Sequence, residues 1–459
     1  MKHSQKTGLA FAMLVAFATL AHAQEEMEEA LPQTLIQNVK IFDGVNEKLV
    51  SGNVLVEGHL IKAVGKNAKG RADATVIDGG GRFLMPGMAD MHVHIASFTP
   101  VQTHSRDMLH PYAHGALAAD RAEGMLLNGF TTIRDMGGAA NFFRKIADAG
   151  VMPGPRIYPS ENWITTTSGH FDFREYNDPH PNIAGGRQHF YDEYVTIIAD
   201  GPAEHMRAAR EAFRHGATQL KIATSGGITS LFDPLHSGPE PEEIQAVVAV
   251  ANRWDTYVAA HAFSEEAILL AINNGVRCIE HAPFITDKIA KVMIEKGIYL
   301  AAAPSPVLDV PVEQARKAYP KESFVKWKRV RDAAKEALKV WGRNPELKVV
   351  LGSDHVPQWN NGRDYDKKAL RDFVYFSQAL GNYRTLKAVT SLSGELNALT
   401  GKMNPYKDGP LGVIREGAYA DVLIIEGNPL EDIEVMLDPH KNFKIIMKDG
   451  KVYKNTLKN

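Results

Sequence analysis

Phe83-Leu84-Met85-Pro86-Gly87-Met88-Ala89-Asp90-Met91-His92-Val93-His94-Ile95 is an apolar run that closes on two histidines. Runs of this kind are candidate parallel strands buried on both faces. Further runs stand at residues 131–135, 156–165, 219–223, 257–262, 277–283, 298–304 and 348–354. Between them lie stretches with helical spacing, such as 239–252 and 265–274. The first opens on Pro239-Glu240-Pro241-Glu242-Glu243, the proline and acids of a helix's first turn. Alternating strands and helices make βα units. Eight such strands most simply close into an α/β fold, the (β/α)8 TIM barrel, whose strand C-termini converge on one face. An open doubly wound sheet is the alternative, but no glycine-rich dinucleotide fingerprint follows the first strand.

The flanks read differently. Residues 31–84 carry short alternating runs, with Glu57-Gly58-His59 placed as a hairpin turn and the run 75–78 leading into Gly79-Gly80-Gly81. Too few strands are present there for an independent sandwich. Residues 420–426 and 443–448, the latter followed by Asp449-Gly450, repeat the same style. One small β-sandwich domain built from 31–84 plus 406–459, with a barrel of 85–405 inserted, is the economical arrangement, since termini often lie close together. Two unrelated β extensions are the other.

The chain has 459 residues, 44% hydrophobic and 23% charged, an ordinary globular balance able to bury a large core. Lys2 and Lys6, the apolar run 9–20 and Ala21-His22-Ala23 have the form of a cleavable signal peptide over residues 1–23. The apolar run is shorter than the roughly 20 residues of a membrane span. The expectation is a periplasmic or secreted protein with no membrane span in the mature chain. A retained anchor is the alternative. The net charge of −2 offers no electrostatic reason to bind nucleic acid. The single cysteine, Cys278, excludes an internal disulfide and a Cys-rich zinc site.

Histidines, one aspartate and one lysine stand at the strand ends. His92 and His94 project to one side of an extended strand and can reach one metal at about 2.0–2.1 Å. Taken alone, H-x-H arises by chance. His261 and His281 each end a run, where a lone histidine is commonly a satisfied core residue. Asp354 ends the apolar run 348–354, where an unpaired carboxylate is costly; a metal removes that cost, and so does service as a helix N-cap. Lys221 alternates with Leu220 and Ile222 and so can face the barrel interior. Beside cations its amine must be neutral or chemically altered, for instance as a carbamate formed with CO2. A surface or salt-bridged lysine is the ordinary reading.

Taken together, His92-Val93-His94 after Met85-Pro86-Gly87-Met88-Ala89-Asp90, Lys221 before Ser225-Gly226-Gly227, Ala260-His261-Ala262, Glu280-His281 and Gly352-Ser353-Asp354 resemble the amidohydrolase superfamily. The tail of residues 420–430 is similar to the family's closing β segment. Within it the chain looks most like the imidazolonepropionase-related and prolidase-like branch, with its Xaa-Pro dipeptidases and hydrolases of N-acyl amino acids. The resemblance implies two divalent metal ions, zinc the first expected and Mn, Co or Fe compatible with the same ligands. It assigns His92, His94 and Asp354 to the more buried ion, His261 and His281 to the other, and N6-carboxylated Lys221 as the bridge. It also makes Asp354 the catalytic general base and then acid. The implied reaction is hydrolysis of an amide or peptide bond in a small molecule, a dipeptide or N-acyl amino acid. Hydrolysis of a cyclic amide or lactone is the nearest rival. A mononuclear deaminase would carry a carboxylate where Lys221 stands.

Around this set the readings stay open. His170, after the run 156–165, is placed to donate to an oxyanion or a substrate carboxylate, or is a solvent-facing loop residue. Ser225-Gly226-Gly227 offers backbone N–H groups to a substrate, or is a plain turn. Arg134-Asp135 is a carboxylate clamp or an internal ion pair. His355 points away from the site as a supporting residue, and the loop 172–192, with His180 and His189, is a lid or a surface loop. A homo-oligomer is expected on general grounds, its number unset.

Overall fold

The run at 83–95 divides at Gly87: one strand ends at Pro86, another begins at Met88, and they belong to different sheets. Gly87 N–H donates to the Asp421 carbonyl (2.9 Å), and a Cβ there would collide with the Thr131 side chain. Glycine is required where the chain changes sheets. The computed structural model describes residues 30–96, 111–172, 174, 179, 180, 195–230, 235, 238–354 and 370–457. Residues 1–23, His189, His355 and most of the 172–192 loop lie outside the described residues.

The first strands are β1 (Gln33–Ile41), β2 (Val50–Glu57), β3 (Leu60–Gly65) and β4 (Thr75–Pro86). Then come β5 (Met88–Val93), β6 (Phe130–Asp135), β7 (Arg156–Pro159), β8 (Trp163–Thr165), β9 (Thr196–Ile198) and β10 (Leu220–Ala223). They are followed by β11 (Val258–Ala262), β12 (Cys278–His281), β13 (Tyr299–Ala302) and β14 (Lys348–Leu351), and the chain closes on β15 (Val422–Ile425), β16 (Phe443–Lys448) and β17 (Lys451–Asn455).

The two ends of the chain make one continuous seven-stranded sheet, ordered β17-β16-β15-β4-β1-β2-β3. The terminal segments, expected to share a small β-sandwich, share this single sheet instead of two facing ones. β15 lies antiparallel on β4, with Val422 opposite Pro86 and Ile425 opposite Phe83. The sheet curls until Ile61 N–H reaches the Ala418 carbonyl (2.8 Å). It wraps a core that includes Ile36, Val54, Leu84, Val422, Ile424 and Ile445. The hairpin at Gly58 is as expected, with φ at +61°. Gly79-Gly80-Gly81, read as the end of a strand, does not end it. Gly80 and Gly81 take positive φ, the β1–β4 register shifts beside them, and β4 runs on to Pro86. Glycines inside a strand mark a bulge there.

The inserted region is the (β/α)8 TIM-barrel fold. β10 to β14 are parallel and pair in chain order, and β5, β6 and β7 form a second arc. A doubly wound sheet would reverse its order midway, whereas β10 to β14 run on in one direction and the only reversal among the described strands is the short β9 beside β8. The arcs meet at two seams. At one, Thr218 N–H donates to the Pro159 carbonyl (2.7 Å); at the other, Asp354 N–H donates to the His92 carbonyl (2.8 Å). The run 156–165 divides into β7 and β8, and β9 adds beside β8. The helix expected at 239–252 is Pro241–Arg253, closed by a capping box of Glu240 and Glu243. That at 265–274 is Glu265–Asn273, capped by Ser264.

Arg156, at the start of β7, joins the barrel to the terminal sheet. It is buried, donates to Asp421 (3.2 Å) and to Asp449, and stacks 4.1 Å over the Tyr419 ring. Among the described residues no helix is long and apolar enough to cross a membrane.

Candidate metal centre

β5 brings His92 and His94 to the C-terminal face, and β14 brings Asp354 against them. His92 Nε2 and His94 Nε2 are 3.2 Å apart, and Asp354 Oδ1 lies 3.6 Å from the first and 3.4 Å from the second. A tetrahedral ion with bonds of about 2.05 Å has ligand–ligand edges of about 3.3 Å, so this triangle has the size of one face of such a site. The outer nitrogens are committed: His92 Nδ1 donates to Glu280 (2.6 Å) and His94 Nδ1 to the Gly137 carbonyl (3.4 Å). Each Nε2 therefore presents a lone pair inward. Two lone pairs and a carboxylate facing one another repel, and a cation turns that repulsion into attraction. The donor set fits a divalent metal.

The other three candidates lie alongside. His281, at the end of β12, has its ring 4.7 Å from that of His92 and 4.8 Å from that of His261. His261 donates from Nε2 to the Gly226 carbonyl (3.2 Å), leaving Nδ1 with no hydrogen-bond partner among the described residues. Lys221 is fully buried on β10, and its Nζ is likewise without one. Buried native polar groups are seldom left so. Lys221 is no surface lysine, and it makes no salt bridge among the described residues.

Burial lowers the basicity of four histidines and of Lys221. It holds His92, His170 and His261 well below the ordinary histidine range, aided by neighbouring positive charge, and takes His281 down to about 4 against the pull of Asp354. Lys221 is drawn down to about 8 by burial, against Glu280 and Asp354. Neutral imidazoles and an amine near neutrality are the forms that ligate a metal or react with CO2. For Asp354, burial pushes upward, but the adjoining imidazoles of His94, His281 and His92 outweigh it and keep the carboxyl well below its usual range. His281 (φ 73°) and Asp354 (φ 53°) hold left-handed backbone at their strand ends. Non-glycine residues in that region cost roughly 1–3 kcal/mol each and cluster at functional sites.

The surrounding readings resolve unequally. His170 is buried rather than solvent-facing, its ring stacked 4.1 Å from that of His261 and its Nδ1 2.6 Å from Ser230 Oγ. Ser230 Oγ also accepts from Gly227 N–H (3.0 Å), so the hydroxyl ties the His170 ring to the turn after Lys221. That bond occupies the Gly227 N–H read as available to a substrate. Arg134 is an internal partner and no clamp; it pairs with Glu280, at 2.7 and 2.9 Å, rather than with Asp135. Asp135 accepts instead from Ile95 N–H (2.8 Å) and Gly137 N–H (3.1 Å), shaping the turn after His94. His180 Nε2 lies 3.6 Å from Asp200 Oδ2. Glu280, beside His281 in the sequence, bonds His92 across the barrel, a pairing for which no local stretch of sequence carries a signal.

The sequence pattern of the amidohydrolase family matches residues 83–453. The chain belongs to that family. This amidohydrolase is 28% identical over 433 residues to an ochratoxinase of Aspergillus niger, covering 92% of this chain and 86% of that one. Its structure is similar to that of a prolidase complexed with N-methylphosphonate-L-proline, with a TM-score of 0.81 and 30% identity, covering 92% of this chain and all of the other. It is also similar to a Xaa-Pro dipeptidase with methionine bound in the active site, with a TM-score of 0.77 and 26% identity over 92% of this chain. As a member of this family with such neighbours, the amidohydrolase is a hydrolase acting on amide bonds.

Proposed function

We propose that this amidohydrolase is an exported, homo-oligomeric enzyme that uses two divalent metal ions, zinc first among them, to cleave the amide bond of a dipeptide or N-acyl amino acid. The observation that carries the reading is the 3.2–3.6 Å triangle of His92 Nε2, His94 Nε2 and Asp354 Oδ1, with Lys221 Nζ and His261 Nδ1 unpartnered beside it. The prolidase and Xaa-Pro dipeptidase likenesses support the substrate class, and the charged start, apolar run and Ala21-His22-Ala23 support export.

His92, His94 and Asp354 would hold one ion, His261 and His281 the other, and Lys221, carboxylated, both. When bound, such a pair lowers the pKa of water and polarises a carbonyl. Asp354 takes a proton from the attacking water and hands it to the leaving nitrogen, base and then acid. His170 donates to the substrate, at the oxyanion or the carboxylate.

The test is metal content and hydrolysis on one purified sample, with dipeptides, Xaa-Pro among them, and N-acyl amino acids set against lactams and lactones. Two equivalents of metal and cleavage of the open-chain amides are expected. Less than one equivalent, with no hydrolysis after zinc and bicarbonate are supplied, sinks the proposal; preference for lactams or lactones reassigns the substrate.

A further inference from the structure

Directly behind His92 lies a buried polar network that the reaction scheme above does not use. Glu280 Oε2 accepts from His92 Nδ1 at 2.6 Å, while Arg134 Nη2 donates to both Glu280 oxygens at 2.7 and 2.9 Å. Arg134 is held in turn by the Met91 carbonyl (2.6 Å, from Nε) and the Tyr257 hydroxyl (3.0 Å, from Nη1). Arg134 and Glu280 are fully buried and His92 is 1% exposed. Four segments thus meet in it: β5, β6, β12 and the residue before β11. A strand puts consecutive side chains on opposite faces, so Glu280 and His281 should not both serve one site. Positive φ at His281 (73°) and Ala282 (42°) turns the chain just after Glu280 and permits it.

We propose that Glu280, clamped by Arg134, which Tyr257 holds in turn, is a positioning residue for His92. Its carboxylate fixes the proton on Nδ1 and the plane of the ring, so that Nε2 presents its lone pair to the site before any metal arrives. Arg134 supplies the countercharge that lets a carboxylate stay buried there, and Met91 and Tyr257 hold the guanidinium in place. Carboxylate partners of metal-ligating histidines act in this way, and their loss costs about 10- to 100-fold in metal affinity. The inference rests on the reading of His92 as a ligand.

Two measurements test it on the full-length protein. Histidine-selective 15N NMR of the metal-free enzyme should show a strongly downfield, exchange-protected Nδ1–H resonance from His92, lost or moved upfield in Glu280→Gln. Chelator competition should show zinc binding weakened about 10- to 100-fold in Glu280→Gln and by a smaller factor in Tyr257→Phe, which removes only one hydroxyl from the clamp. If Glu280→Gln does not fold, the wild-type resonance and the Tyr257→Phe affinity still decide. Absence of that resonance overturns the proposal. Wild-type zinc affinity in the variants, whatever happens to their melting temperature, also overturns it and assigns Glu280 to packing alone. Failure of the wild-type protein to bind zinc overturns instead the metal-site reading beneath it.

Discussion

Gly227→Ala is the sharpest probe of the site, because it adds one methyl at a known place. A Cβ at residue 227 would stand 2.8 Å from His170 Cε1 and 3.2 Å from His261 Cε1. Gly227 is not among the glycines at positive φ, so alanine meets no backbone penalty and the effect is steric. Ordinary contact begins at 3.4 Å, so the His170 ring must retreat by about 0.6 Å and the His261 ring by about 0.2 Å. Both are constrained, His170 by Ser230 (2.6 Å) and His261 by the Gly226 carbonyl (3.2 Å). Overpacking of this kind costs roughly 1–3 kcal/mol of stability. A misplacement approaching 1 Å at a reacting centre costs about 100-fold in rate, so the expected fall in kcat is about 10- to 100-fold. Steady-state kinetics on the best amide substrate, with zinc content and melting temperature on the same protein, provide the assay. A folded variant with wild-type kcat and KM would refute the reasoning, because the two rings would then be bystanders.

Asp354→Asn removes the carboxylate of the ligand triangle and the proposed base; kcat should fall by about 100- to 10,000-fold, and near wild-type turnover would dismiss that role. Lys221→Ala should cost one metal equivalent, read by elemental analysis, and unchanged stoichiometry would mean that Lys221 bridges nothing. Glu161 is pushed from 4.5 to about 8 by burial. Its folded form is neutral while the unfolded chain is ionised, so the residue subtracts stability progressively as pH rises from about 4.5 to 8, and no further above that. Glu161→Gln should therefore gain on the wild type, by urea midpoint, between pH 5 and pH 8.5; a pH-independent difference would contradict the assignment. Asp421→Asn weakens the buried partner of Arg156 and should destabilise by about 3 kcal/mol, the low end for breaking a buried pair, since Asp449 remains. A denaturation midpoint within error of the wild type would show that the junction carries no weight.

Much of the architecture was legible because its signals are local. Apolar runs bounded by polar turns mark strands, and His92 and His94 fall on one side of theirs through simple alternation. The Pro241–Arg253 helix announced itself by its capping residues. What misled was equally local. Gly79-Gly80-Gly81 looks like a strand end, and whether three glycines stop a strand or bulge it depends on the neighbouring strand, β1, which the segment itself does not contain. The run at 83–95 looks continuous, and its division at Gly87 is imposed by Thr131 and Asp421 from elsewhere in the chain.

The sequence by itself determined which residues end strands, that these ends share one face of a barrel, and through family resemblance which of them to group. It left open whether Lys221 lies inside, whether His170 faces solvent, and what Arg134 pairs with. Only the tertiary structure decided these. It set Asp354 Oδ1 3.4 Å from His94 Nε2, buried Lys221 without a hydrogen-bond partner among the described residues, stacked His170 on His261, and joined Glu280 to both His92 and Arg134. The reason is physical: alternation along a strand fixes the side on which a side chain emerges, but its partner across the barrel is set by how all the strands are staggered when the arcs meet. That stagger is a property of the assembled sheet and of no single stretch of the chain.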